Sequence, residues 1–83
     1  MALLAMDIKL FPAPVNIVLA GQRIAVASTQ QATDLLIDVD WPQRGPRHRE
    51  ATEACLKVLE GYRSTEDARN AFVEAAREAA VLE

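Results

Sequence analysis

A thiol nucleophile needs a base beside it, and Cys55 and His48 stand seven residues apart in a stretch with helical spacing. Seven residues bring them to nearly the same helix face but ~10.5 Å apart along the axis, whereas a thiol and its base must approach to ~3 Å. No dyad can form within that helix, and Cys55 reads as a small buried hydrophobe. As a metal ligand His48 lacks a second His or Cys at ligand spacing. Asp34, Asp38 and Asp40 could hold Mg²⁺ or act as an acid/base pair. Asp34 and Asp38, however, fall on the solvent side of a helix with no phosphate-binding loop nearby, so a solvated face is expected. With no glycine-rich loop and no nucleophile elbow, no catalytic, cofactor-binding or metal residue is expected, and an enzyme is the weakest class.

The informative surface is the segment Trp41-Pro42-Gln43-Arg44-Gly45-Pro46-Arg47-His48-Arg49, at the opening of a helix. The first turn of a helix carries unpaired N–H groups and partial positive charge. Trp41, Arg44, Arg47, His48 and Arg49 are therefore the candidate surface for a phosphate, a carboxylate or an acidic partner segment. The competing expectation, which we favour, is structural: Trp41 plugs the core between two helices and the arginines offset Asp38 and Asp40. Four aromatic residues, scattered along the chain, are too few for a base-stacking platform.

The elements that position these residues follow from pattern. Val15 to Ala20 and Arg23 to Ser28 are β-rich runs, and Gly21-Gln22 between them suits a two-residue type II′ turn. That turn sets Leu19 opposite Ile24, Ile17 opposite Val26 and Val15 opposite Ser28, and gathers Val15, Ile17, Leu19, Ile24 and Val26 on one face. The reverse face, with Val18, Ala25 and Ala27 beside Asn16 and Arg23, is less polar than a solvated sheet surface usually is. Ser28 and Gln31 have capping-box spacing for a first helix, with an apolar stripe of Ala32, Leu35, Leu36 and Val39 and an end near Asp40, ahead of Pro42. A second helix opens at Pro46, buries Ala51, Ala54, Cys55, Val58, Leu59 and Tyr62, and ends at Gly61. Ser64 caps a third, whose inner face is Ala68, Ala71, Phe72, Ala75, Ala76, Ala79 and Leu82.

The expected fold class is α+β, an N-terminal antiparallel β-hairpin followed by three α-helices (ββααα), with residues 1–13 an N-terminal extension and 14–82 a single small domain. Eighty-three residues leave no room for a second domain, and no repeat or linker divides them. Of the hydrophobic residues 15 are alanine, so the core is thin. One cysteine and one histidine offer neither a disulfide nor a metal staple within the chain, so a homodimer is expected, using the hairpin's second face or edge together with helix surfaces. Residues 1–6 have no basic flank and too short an apolar run for a signal core, and a lone cysteine suits a reducing compartment, so a cytoplasmic location is expected. Leu10 to Gln22 is broken by two prolines and too short to cross a bilayer. A net charge of −3 and a pI near 5.1 disfavour nucleic acid as partner. No cofactor is implied.

The spacing of Trp41-Pro42, Arg44-Gly45-Pro46, Cys55, Leu59-Glu60-Gly61 and Ala68-Arg69-Asn70-Ala71-Phe72-Val73-Glu74-Ala75-Ala76, with Pro14-Val15 ahead of the first strand, resembles the small bacterial proteins grouped as domain of unknown function 982. The resemblance covers roughly residues 14–80. It implies a compact hairpin-plus-helices fold and carries no activity, substrate or functional position. His48 stands where that pattern has an aromatic residue. The functional expectation is an uncharacterised, non-enzymatic protein-interaction or regulatory module. The alternative is anion or nucleic-acid binding through the basic turn at residues 44–49.

Overall fold

A computed structural model describes residues 9–83, in the order β1 (Leu10–Leu19), β2 (Gln22–Ser28), α1 (Thr29–Leu36), α2 (Pro46–Leu59) and α3 (Thr65–Glu78). The α+β hairpin-and-three-helix architecture is therefore as expected; the reading of residues 1–6 lies outside the described part. One face of the antiparallel hairpin lies on the helices: α3 crosses β1, α1 packs against β2, and α2 rests on α1 and α3. No helix among the described residues is long and apolar enough to cross a membrane.

The hairpin turn is not the one expected. Leu19 pairs with Gln22, Ile17 with Ile24 and Val15 with Val26, so the loop is Ala20-Gly21. Both residues have positive φ, 51° and 78°, the requirement of a type I′ turn, whose twist matches that of the flanking strands. The register thus moves by two residues, which leaves the same side chains facing the helices: Val15, Ile17, Leu19 and Val26 are buried and Ile24 packs against them. β1 also starts earlier than Val15. Between the Leu10–Ser28 and Val15–Val26 pairs, residues 11–14 of β1 face Ala27 alone, a bulge that accommodates two prolines without a ladder N–H. The carbonyls it turns outward are held by one side chain: the Arg69 guanidinium of α3 donates to Ala13 O at 2.7 Å and Pro14 O at 3.3 Å.

Both edges of the hairpin are occupied. Beyond α3 the chain reverses through Ala80, at φ 60°, in a left-handed cap. Val81 N bonds Ala76 O and Ala80 N bonds Arg77 O. Residues 81–83 then run beside β1: Val18 N donates to Val81 O, Glu83 N donates to Asn16 O, and Ile17 bridges Leu82. Leu82 is therefore a strand contact rather than part of the α3 inner face. These bonds fix Asn16 and Val18 as pointing away from β2, so their partners Ala25 and Arg23 point away from β1. On that outer edge the Gln31 side chain accepts from Ala27 N and donates to Ala25 O, imitating a neighbouring strand. The capping box is thus half as expected: Ser28 Oγ accepts from Gln31 N, but Gln31 reaches back one residue further, to Ala27.

α1 is shorter than its apolar period suggests. It stops at Leu36, and Val39, expected in the buried stripe, is 92% exposed. Asp38 Oδ1 accepts from Asp40 N, a local turn that competes with helical continuation. α2 ends as expected with Gly61 at φ 90°, while Tyr62, expected inside, lies beyond the cap and is exposed. The core centres on Phe72 of α3, whose ring lies 6.5 Å from Phe11 and 5.7 Å from Trp41 between centroids, so one residue joins β1, the α1–α2 loop and α3.

Candidate functional site

Trp41 is buried at 3% exposure, packed between Phe72 and His48, as the core-plug expectation requires; its Nε1 has no hydrogen-bond partner. The arginines and the histidine that follow are held one by one. Arg44 donates to Asp38 O at 2.6 Å, which ties the loop to the turn after α1. Arg47 donates to Glu50 Oε1 at 2.9 Å, and this carboxylate raises the Arg47 pKa above its ordinary value. His48 Nε2 lies 2.6 Å from Leu36 O, so its ring acts on the last carbonyl of α1, where a helix leaves acceptors unpaired. Of the four basic side chains, that of Arg49 alone has neither a hydrogen bond nor an ion pair within the described residues.

The first-turn amides of α2, the feature that suggested an anion site, carry an anion from the chain itself. Arg47 N donates to Glu78 Oε2 at 3.1 Å and His48 N to Glu78 Oε1 at 3.2 Å. Glu78 closes α3, so its carboxylate leaves the unfavourable end of one dipole for the favourable end of another. Gly45 makes this approach possible: a Cβ there would stand 2.6 Å from Glu78 Oε2. Nothing in the local sequence of residues 41–49 points to Glu78, because its partner lies thirty residues away and the contact is created by the packing of α2 on α3. Gly45 directly ahead of Pro46 was the available signal: a residue without a side chain at a helix N-cap leaves the cap to something else.

Cys55 is fully buried on the inner side of α2, and burial pushes its thiol up to about 11, a hydrogen bond with Thr33 opposing that only in part. The Cys55–His48 dyad rejected on helical rise is absent, His48 being turned to α1. Asp34 is exposed, as expected, and Asp38 and Asp40 lie in the turn after α1. Among the described residues no group of three or more His, Cys, Asp or Glu could hold a metal ion.

The far face of α2 differs in kind. Arg44, His48, Arg49, Thr52, Glu53 and Leu56 line an open depression of about 570 Å³, and Leu56 at its end is 48% exposed. Arg49, Glu53 and Glu60 on this face make no ion pair within the described residues.

The family described as protein of unknown function (DUF982) matches residues 13–83. The chain belongs to that family. DUF982 thus covers the hairpin, the basic turn and all three helices, the span over which the sequence pattern was recognised. No curated protein and no solved structure matches the chain.

Proposed function

We propose that this DUF982 chain is a non-enzymatic protein-interaction or regulatory module that works in the cytoplasm as a homodimer. The observation that carries the reading is the contrast on α2. The polar capacity of its opening turn is largely spent inside the chain, whereas its far face keeps Arg49, Glu53 and Glu60 unpaired around a half-exposed Leu56. Exposed apolar area ringed by polar groups is the usual composition of a protein contact. The non-enzymatic part draws on Cys55, the residue best suited to be a nucleophile, which is buried and held as a thiol. Sedimentation tests the assembly: a two-chain mass is expected as the concentration approaches ~1 mM, and a lone 9.1 kDa species throughout that range counts against the homodimer.

The alternative, anion or nucleic-acid binding through Arg44, Arg47, His48 and Arg49, has less to draw on, since Glu78, Glu50, Asp38 and Leu36 take most of the donors it would use. A titration with phosphate-bearing ligand decides it: binding that weakens steeply with salt and with Arg44→Ala or Arg47→Ala supports it, and silence at low salt removes it.

A further inference from the structure

The four residues Arg49, Thr52, Glu53 and Leu56 stand at positions i, i+3, i+4 and i+7 of α2, and all four line the open depression on its far face. That is the spacing of the hole that receives a side chain in knobs-into-holes packing. Leu56 is the large apolar side chain of the same stripe, and its exposure makes it a knob without a hole. Arg49 and Glu60 lie at the two ends of the stripe, with opposite charge and no ion-pair partner within the described residues.

We propose that α2 packs antiparallel against α2 of a second copy of this chain, across a two-fold axis that passes between residues 54 and 55. Two independent requirements give that register. Seating the partner's Leu56 at the centre of the Arg49, Thr52, Glu53, Leu56 hole puts the axis there. The same axis brings Arg49 opposite the partner's Glu60 and Glu60 opposite the partner's Arg49. A two-fold contact repeats each interaction, so one knob and one charge pair become two of each. α2 is free for this role because α1 and α3 cover only its inner side. From residue 49 to residue 60 the contact runs ~17 Å along the helix, short of a standard interface, so the dimer forms at high micromolar rather than nanomolar concentration.

This inference rests on the homodimer reading and adds the surface and the register. The test is sedimentation equilibrium of the full chain up to ~1 mM, on the wild type, Arg49→Glu, Glu60→Arg and the double swap, with circular dichroism to show that each is folded. Each single swap sets like charges against each other twice, and ~10-fold weaker association is expected. The double swap restores the pairs with reversed polarity and returns association to within ~3-fold of wild type. A dimeric wild type that is indifferent to the single swaps, or a double swap that does not recover, overturns this interface and leaves the homodimer standing. A monomeric wild type across the whole range overturns both.

Discussion

The opening turn of α2 and its far face carry similar side chains and have opposite fates. Residues 44–48 hold two arginines and a histidine, and each is engaged: with Asp38 O, with Glu50, with Leu36 O, while Glu78 takes the exposed amides. From the very next residue onward, the side chains of Arg49, Glu53 and Glu60 make no hydrogen bond or ion pair in the described chain. Density of charge in a sequence therefore marks a ligand site poorly. What matters is which donors and acceptors remain unspent once distant segments have packed, and that is a property of tertiary contacts.

The largest expected effect concerns the side chain beneath the opening turn. Trp41→Ala should cost about 3–5 kcal/mol, most of the stability of a chain this size, and urea titration should find it largely unfolded. If the loss is instead small, Trp41 is a cover over the turn and not its foundation.

Cys55, on the inner side of the same helix, ranks next. A buried thiol raised from 9.0 to about 11 disfavours the thiolate in the folded state, whereas the unfolded chain ionises near 9. The unfolded state then binds fewer protons between these values, so stability is full below pH 9 and falls by roughly 2–3 kcal/mol by pH 11. Urea midpoints across that range should show the decline, and Cys55→Ser should flatten it. At neutral pH thiol reagents should label Cys55 at the rate of unfolding.

Third comes the Glu78 bridge. Glu78→Ala should cost about 1–2 kcal/mol, because two partly exposed amides lose a charged acceptor. Gly45→Ala should displace the same carboxylate, so the double variant should be no worse than the more damaging single one. Additive losses in that cycle would mean that Gly45 serves its own backbone and not Glu78. The smallest effect is on the far face: Arg49→Ala and Glu60→Ala should change monomer stability by less than about 0.5 kcal/mol in urea titrations at low micromolar concentration. A large loss there would erase the contrast between the two regions.

How much of this was legible in the sequence depends on the distance over which each feature is decided. The helix starts at Ser28, Pro46 and Ser64 and the stop at Gly61 are set by a few neighbouring residues, and all four stand where the local pattern puts them. The hairpin's buried face survived an error in its turn because side chains alternate with period two and the slip was two residues. The end of α1 was misjudged because apolar period continues through Val39, while the Asp38 turn that stops the helix lies in polar chemistry the period ignores. In the candidate site, the burial of Trp41 was readable from its type and place. Glu78, Gln31 and Arg69 were not, since each meets backbone groups that only the assembled fold turns toward it.

The strip of backbone at residues 81–83 gives β1 its second neighbour, and so the first strand of the described chain is flanked on one side by almost the last of its residues. Until translation has delivered that strip, Asn16 O and Val18 N have water alone for company. The hairpin thus waits, half dressed, for a strip made well after it.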